Sequence, residues 1–129
     1  MVDTEQKKKI LIMDDEDMVG EIACQMLGFL GYASVWVTDG ADAVRTYQEN
    51  LDQGEKFAAV IMDLTIPGGM GGREAVAELL AIDHSAKVYV SSGYSTDPIM
   101  VNYHDYGFSG VIAKPFDLAA IQKLLDTLQ

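Results

Sequence analysis

The strongest constraint on the fold is an alternation along the chain. Five short apolar runs are each followed by a longer stretch in which apolar residues recur with helical spacing. Strands that alternate with helices form parallel sheets covered on both faces, so the pattern predicts an α/β fold with a doubly wound, five-stranded parallel sheet. A length of 129 residues is typical of one domain, and we expect residues 1–129 to form it. The predicted strands are residues 9–13, 34–37, 58–62, 87–91 and 110–112.

The helical stretches predict which side chains pack on the sheet. In the first stretch, apolar residues recur every three or four positions, which predicts a buried stripe that ends before Gly31. The third helix is predicted at residues 72–82, and the last helix is predicted to present an apolar face. The stripe of the first helix comprises Met18, Ile22, Met26 and Phe29, and the face of the last comprises Leu118, Ile121, Leu124, Leu125 and Leu128.

Three helix starts carry residues that favour capping. Asp39 or Gly40 is expected to cap the second helix, and Asp117 the last. Asp97 is expected to cap the fourth helix, with Pro98 at its first position, where proline is well tolerated.

The charge balance excludes several classes of function. Nine Lys and Arg against twenty Asp and Glu give a net charge of −11, and the only basic run is residues 7–9, so direct binding to nucleic acid is not expected. No apolar run reaches the roughly 18 to 20 residues of a membrane helix, and the first nine residues do not resemble a signal peptide. We therefore expect a cytoplasmic protein without membrane insertion. Cys24, the single cysteine, excludes an internal disulfide and is expected to be a buried thiol.

Charged residues follow the predicted strands at their carboxyl ends, where parallel sheets bind ligands. Asp14 and Asp15 follow the first strand, and Asp63 follows the third, whose apolar sequence is typical of a central strand. The helix dipole favours acidic residues at the start of a helix, which explains Glu16 and Asp17 but not Asp63. Two such carboxylates about 4 Å apart repel by on the order of 4 kcal/mol at an effective dielectric constant near 20, so a counter-cation is expected. Oxygen ligands of this kind suit Mg²⁺ or Mn²⁺.

A hydroxyl and an ammonium group complete the pattern. Ser92 follows the fourth strand and Lys114 the fifth. A carboxylate next to a divalent cation, a lysine and a hydroxyl is suited to accept a phosphoryl group, because the cation and the lysine neutralise the phosphoryl oxygens. The combined spacing therefore indicates Asp63 as a nucleophile in phosphoryl transfer.

These motifs resemble the receiver domains of response regulators, the CheY-like family, over nearly the whole chain. The resemblance implies a flavodoxin-like (βα)5 fold with strand order 2-1-3-4-5. It further implies that Asp63 is the phosphoacceptor, that Asp14, Asp15, Asp63 and the Thr65 carbonyl hold Mg²⁺, and that a cis peptide precedes Pro115. The segments that carry it are residues 10–16, 60–67, 90–93 and 113–116.

The resemblance also implies partners and roles. Ser92 and Lys114 contact the phosphoryl oxygens, and the donor is a histidine kinase or a histidine phosphotransfer domain. A receiver is a phosphoacceptor domain that catalyses only its own phosphorylation and dephosphorylation, and it is expected to be a monomer or a weak dimer. The glycine-rich, serine-rich and Lys-Pro segments are most similar to receivers of hybrid sensor histidine kinases. A stand-alone receiver and one excised from a hybrid kinase both fit the sequence.

Two departures from the family pattern stand out. The glycine-rich segment at residues 68–72 is one residue longer than usual and is expected to be more mobile. Val111 stands three positions before Lys114, where the family commonly has Tyr or Phe, which puts an aromatic switch in doubt. Two interpretations are open for the aromatic residues close to Val111 in sequence: they take over the role of the missing ring, or they only pack in the ordinary way. These residues are Tyr103, Tyr106 and Phe108.

Three other functions can be compared with the sequence. A haloacid-dehalogenase-type phosphatase needs a second Asp two residues after its nucleophile, and Thr65 stands there. A flavin mononucleotide carrier needs a phosphate-binding loop after the first strand, where the acidic run would repel phosphate. A degenerate receiver that acts only as a protein interaction module remains the main alternative.

Overall fold

A computed structural model describes residues 8–94 and 96–128 of the chain. Part of the basic run, Lys7, lies outside the described residues, as do residues 1–6, 95 and 129 of the expected single domain. The strands are β1 Lys9–Met13, β2 Ala33–Val37, β3 Ala59–Asp63, β4 Val88–Ser92 and β5 Gly110–Ala113. The α-helices are α1 Asp17–Phe29, α2 Gly40–Asp52, α3 Gly72–Ile82, α4 Pro98–Val101 and α5 Leu118–Asp126, and a 3-10 helix covers Tyr103–Tyr106.

The five strands form one parallel sheet in the order β2-β1-β3-β4-β5, which confirms the predicted fold. Each predicted strand is present within one residue of its expected bounds, and α3 has its expected bounds. β3 lies at the centre and is buried along its whole length. The central strand therefore places its last residue, Asp63, in the middle of the carboxyl edge.

Helices cover both faces of the sheet, and alternate residues of β1 separate the two cores. Leu11 and Met13 belong to the core beneath α2 and α3, whereas Ile10 and Ile12 belong to the core beneath α1 and α5. This division follows from the strand geometry, because successive side chains point to opposite faces.

The predicted buried stripe of α1 is shifted in helical phase, and of its four residues only Met26 packs against the core. Met18 and Phe29 are 73% and 78% exposed, and the buried residues are instead Gly20, Ala23 and Leu27. Both sets have helical spacing, so periodicity predicted the helix without fixing which stripe faces inward. Gly20 faces inward because the ring of Trp36 lies against it and leaves no room for a side chain there.

Two smaller expectations also need correction. Cys24 is half-buried rather than fully buried, because it lies beside the buried stripe of α1 and not within it. Leu118 is the first residue of α5 and is 41% exposed, whereas Ile121, Leu124 and Leu125 form the buried face.

The three predicted caps are present. The side chains of Asp39, Asp97 and Asp117 accept hydrogen bonds from backbone N–H groups in the first turns of α2, α4 and α5. Such caps satisfy N–H groups that a helix leaves without partners. Pro98 occupies the start of α4, as expected, but this helix has only four residues.

A polar network joins α2 to the loop before β4, at the amino edge of the sheet. The Tyr47 hydroxyl donates to Asp83 Oδ2 at 2.7 Å, and Lys56 Nζ lies 3.2 Å from the same oxygen. Both the backbone N–H and the hydroxyl of Ser85 donate to Asp83 Oδ1. Burial raises the pKa of Asp83, but the hydrogen bonds from Ser85, Tyr47 and Lys56 outweigh it and hold that pKa well below its ordinary value.

In the described part of the chain, no helix has both the length and the apolar character that crossing a membrane requires.

Candidate functional site

The parallel sheet brings four sequence-distant residues to one edge. Asp63 and Ser92 are the last residues of β3 and β4, and Asp14 and Lys114 directly follow β1 and β5. Since all strands run in the same direction, their carboxyl ends meet at this edge. The site residues predicted from strand ends are therefore neighbours in the fold.

Three carboxylates form a cluster at this edge. Asp14, Asp15 and Asp63 each contribute one oxygen to a group whose members all lie within 4.8 Å of one another. Asp14 and Asp63 are buried, whereas Asp15 is exposed. Burial lowers the effective dielectric constant, so the repulsion between two of these charges is stronger than on an open surface.

Lys114 lies against two of the three carboxylates. Its Nζ atom is 3.0 Å from Asp63 Oδ2, to which it donates a hydrogen bond, and 2.7 Å from Asp14 Oδ2. Glu16 Oε1 lies further away, at 3.8 Å. The predicted positive charge is therefore present, and it is shared between two buried acids. The peptide bond between Lys114 and Pro115 is cis, as the resemblance implied.

The pKa values of Asp63 and Lys114 are both raised, which favours the neutral form of the acid and the charged form of the lysine. Burial is the main cause that raises the pKa of Asp63 above its ordinary value, with a smaller contribution from Asp14, and the contact with Lys114 opposes this shift only in part. Burial also acts to lower the pKa of Lys114, but its contacts with Asp14 and Asp63 outweigh burial, so this pKa is raised. The site stabilises the ammonium group and disfavours the Asp63 carboxylate.

Backbone contacts hold Asp14 in place. Its N–H donates to the Val37 carbonyl at 3.1 Å, and its Oδ1 atom accepts from the N–H of Glu16 at 2.9 Å. Its carbonyl accepts from the indole N–H of Trp36 at 2.9 Å. Sequence reasoning missed Trp36; the signal that it offers is a single tryptophan in a strand next to the acidic strand end.

The acidic cluster opens into a cleft of about 600 Å³. Asp15, Asp63, Thr65, Ser92 and Lys114 all line it, and Asp14 lies behind them. Ser92 is buried, and its hydroxyl oxygen accepts a hydrogen bond from the N–H of Tyr94 at 3.0 Å. The remaining lining residues are Glu16, Pro67, Gly93 and Tyr94.

The donor atoms fit a hard divalent cation. All three clustered side chains offer oxygen, which Mg²⁺ and Mn²⁺ favour. Within the described residues, buried Asp14 Oδ2 accepts no aligned hydrogen bond, although Lys114 lies close as an ionic partner. A buried carboxylate oxygen without an aligned donor can take a metal ligand position without losing a hydrogen bond.

The aromatic residues near Val111 pack in the core or against it. Phe108 is fully buried, and Tyr103 and Tyr106 contact the same core. Among the described residues that line the cleft, Tyr94 is the only aromatic one. Val111 is 41% exposed on β5. Ordinary packing therefore explains Tyr103, Tyr106 and Phe108.

Known proteins are similar to this chain in sequence and in fold. The response regulator receiver domain family matches residues 10–126. The chemotaxis protein CheY of Thermotoga maritima is 29% identical over 120 residues, which cover 92% of this chain and 95% of that protein. The transcription factor SKN7 of Candida albicans is 29% identical over 125 residues, 93% of this chain but 21% of that longer protein.

A solved structure shows the same fold. The receiver domain of a sensor histidine kinase from Pseudomonas aeruginosa PAO1 is 25% identical, with a TM-score of 0.82 over 95% of this chain and 98% of that one. That protein has a magnesium ion coordinated in its active site cleft. The similarity of this chain to that receiver also supports its predicted likeness to receivers of hybrid sensor histidine kinases. Because the family match covers nearly the whole chain, the protein belongs to the response regulator receiver domain family.

Proposed function

We propose that this chain is the phosphoacceptor domain of a two-component phosphorelay and that Asp63 accepts the phosphoryl group from a phosphohistidine. The observation that carries the proposal is the position of Asp63. It ends the central strand, lines the cleft, contacts Lys114 and belongs to a cluster of three carboxylates. The donor is a histidine kinase or a histidine phosphotransfer domain, the partner class of the family.

In the proposed transfer, an Asp63 carboxylate oxygen attacks phosphorus as the bond between phosphorus and the donor imidazole nitrogen breaks. The electron pair of that bond leaves with the imidazole, which takes a proton from solvent. Lys114 then exchanges part of its contact with Asp63 for a contact with a phosphoryl oxygen. The Ser92 hydroxyl already accepts from Tyr94, so its own proton is available to donate to a second phosphoryl oxygen.

Asp14, Asp15 and Asp63 are the side chains that would hold Mg²⁺, together with the carbonyl of Thr65, and Mn²⁺ suits the same ligands. The ion supplies positive charge that neutralises the phosphoryl oxygens during transfer. The magnesium in the cleft of the similar Pseudomonas receiver supports this assignment. Loss of any one of the three carboxylates is therefore expected to weaken Mg²⁺ binding.

The remaining features of the proposal concern the chain as a whole. We propose a single receiver domain over residues 1–129 that acts in the cytoplasm as a monomer or a weak dimer. Its only catalysis is its own phosphorylation and dephosphorylation. Phosphorylation changes the surface that binds partners.

Intact-mass measurement after incubation with Mg²⁺ and acetyl phosphate tests the proposal. Wild type should gain one alkali-labile phosphoryl group, and Asp63→Asn should gain none. Asp105→Asn is the matched control, because Asp105 is exposed on the 3-10 helix and does not line the cleft. Equal labelling of wild type and Asp63→Asn would contradict the assignment, and absence of labelling in wild type would favour the interaction module.

A second variant separates the roles of the ion and the lysine. Lys114→Ala retains the three carboxylates, so it should retain Mg²⁺ binding while it loses phosphoryl transfer or its conformational consequence. The measurement combines a Mg²⁺ titration with the same mass assay. Labelling and a structural response equal to those of wild type would remove Lys114 from the mechanism.

A further inference from the structure

The single tryptophan of the chain contacts the backbone of the acidic site. Trp36 lies on β2, and its indole Nε1–H donates to the carbonyl oxygen of Asp14 at 2.9 Å. That contact joins residues 22 positions apart in sequence. The ring itself does not line the cleft. Any influence of Trp36 on the site therefore acts through the main chain of Asp14.

Two successive residues of β2 hold the two polar backbone groups of Asp14. The Val37 carbonyl accepts from the Asp14 N–H at 3.1 Å, and Trp36 donates to the Asp14 carbonyl. The Asp14 carbonyl belongs to the peptide plane that links Asp14 to Asp15. Because a peptide unit is planar, fixing its oxygen restricts rotation on both sides of the plane. The indole therefore restrains the backbone angles on either side of this plane, ψ of Asp14 and φ of Asp15.

Gly20 of α1 makes this contact possible. A Cβ atom at residue 20 would overlap the indole, with Trp36 Cε2 and Nε1 as its nearest atoms. The absence of a side chain lets α1 approach the face of the ring, which is held between the helix and the sheet. The contact of the ring with Gly20 thus limits the positions from which the indole N–H can reach Asp14.

Electrostatic repulsion makes this restraint useful. Asp14, Asp15 and Asp63 repel one another, and a turn of the peptide unit between Asp14 and Asp15 would lower that repulsion by moving their carboxylates apart. We propose that Trp36 is a positioning residue that keeps the Asp14 and Asp15 carboxylates in the arrangement that binds Mg²⁺. This inference rests on the proposed function, since it assigns Trp36 a role at the same metal site.

A Mg²⁺ titration followed by the backbone amide NMR signals of residues 14–17 tests the role. Trp36→Phe keeps a ring against Gly20 but removes the N–H donor. Outer groups that orient metal ligands typically contribute 10- to 100-fold in affinity, and this contact acts one step further away, so we expect a dissociation constant about five- to tenfold higher than in wild type. An unchanged constant would overturn the positioning role while leaving the metal site intact.

Tyr89→Phe is the matched control. It removes one hydrogen bond, from the Tyr89 hydroxyl to Thr127 Oγ1, from an aromatic residue on another strand. Its thermal midpoint should fall, but its Mg²⁺ dissociation constant should equal that of wild type. An equal rise of the constant in both variants would show that general loss of stability, and not positioning, explains the effect.

The wild-type protein provides a readout that needs no variant. It has one tryptophan and therefore one indole N–H signal. This signal should shift on Mg²⁺ addition with the same dissociation constant as the amides of residues 14–17. A stationary indole signal during saturable Mg²⁺ binding overturns the inference, even if Trp36→Phe fails to fold. Absence of Mg²⁺ binding in wild type overturns both this inference and the proposed metal site.

Discussion

Lys114 Nζ and Asp63 Oδ2 lie 3.0 Å apart, although the two residues are separated by 51 positions and their strands are not neighbours in the sheet. β4 lies between β3 and β5, so the lysine side chain reaches past the end of β4 to the central strand. There it also lies 2.7 Å from Asp14 Oδ2. One flexible ammonium group thus partly neutralises two buried acids that would otherwise repel each other.

Asp63→Asn should stabilise the metal-free protein near neutral pH. The pKa of Asp63 is raised in the folded state, so the native protein holds that proton more tightly than the unfolded chain does. Ionisation of Asp63 therefore lowers the free energy of unfolding as pH rises from the ordinary value of 3.8 through the folded pKa. Asn does not ionise, so the variant avoids this loss. We expect a gain on the order of 1 kcal/mol, or about 3 to 5 °C in thermal midpoint for a domain of this size.

Thermal scans across pH provide the check. The advantage of Asp63→Asn should disappear below the ordinary pKa of 3.8, where Asp63 is protonated in both states. Added Mg²⁺ should raise the midpoint of wild type more than that of the variant, because a ligand stabilises only the state that binds it. A variant less stable than wild type at neutral pH without metal would contradict the repulsion argument.

Lys114→Met should destabilise the metal-free protein by about 2 to 3 kcal/mol, since it leaves two buried carboxylates without their cation. The raised pKa of Lys114 means that its stabilising charge is present below the ordinary value of 10.5 and is lost as pH rises through the folded pKa. The stability difference between wild type and variant should therefore shrink in strong alkali.

Urea unfolding measures this difference, and Lys123→Met is the matched control. Lys123 is exposed on α5, so its replacement should change stability by less than about 0.5 kcal/mol. Equal unfolding free energies for the Lys114 and Lys123 variants would show that the buried acids do not depend on Lys114.

Tyr47→Phe should lower the free energy of unfolding by about 1 to 1.5 kcal/mol at neutral pH, because it removes the hydroxyl that donates to Asp83. The pKa of Asp83 is lowered in the folded state, so the stability it contributes is present above 3.8 and is lost as pH falls through the folded pKa. The penalty of Tyr47→Phe should accordingly shrink in acid. Urea unfolding across pH measures this penalty. Tyr89→Phe is the control, because Thr127, the partner of the Tyr89 hydroxyl, is not ionisable. An equal pH dependence in both variants would argue against the polar network around Asp83.

Tyr94→Ala should shorten the lifetime of the proposed acyl phosphate, by about two- to fivefold, without reducing initial phosphorylation. The Tyr94 ring is 77% exposed but belongs to the cleft next to Ser92, where it can exclude the water needed for hydrolysis. A decay time course after removal of the donor is the measurement. Tyr94→Phe should behave like wild type if the shield is steric, and unchanged decay in Tyr94→Ala would mean that the ring does not shield the bond.

Phosphorylation should change the loop before α4 and α4 itself more than β5. The Val111 side chain is too small to move as an aromatic switch ring does. A change at Ser92 must therefore reach the partner-binding surface through the backbone that leads to the four-residue α4. Amide exchange with and without a phosphoryl mimic should therefore differ most between Gly93 and Met100. Larger differences confined to the neighbours of Val111 would contradict this route.

The sequence by itself determined the elements and the chemistry at the strand ends. Apolar runs and helical spacing are local properties, and they predicted every strand within one residue. The rule that parallel strands present ligands at their carboxyl ends then placed Asp14, Asp63 and Lys114 at one edge. The caps at Asp39, Asp97 and Asp117 were predictable for the same reason, since each acts within its own first turn.

Only the tertiary structure decided how these elements face one another. Periodicity is the same for the stripe at Met18 and for the buried stripe at Gly20, and the first turns of α1 face inward at Gly20, where the ring of Trp36 on β2 leaves no room for a side chain. Two contacts at the site likewise join residues that are distant in sequence. Lys114 is shared between Asp14 and Asp63, and the Trp36 indole donates a hydrogen bond to the Asp14 carbonyl. Such contacts depend on strand order, helix phase and side-chain reach together, and no local stretch of sequence contains that information.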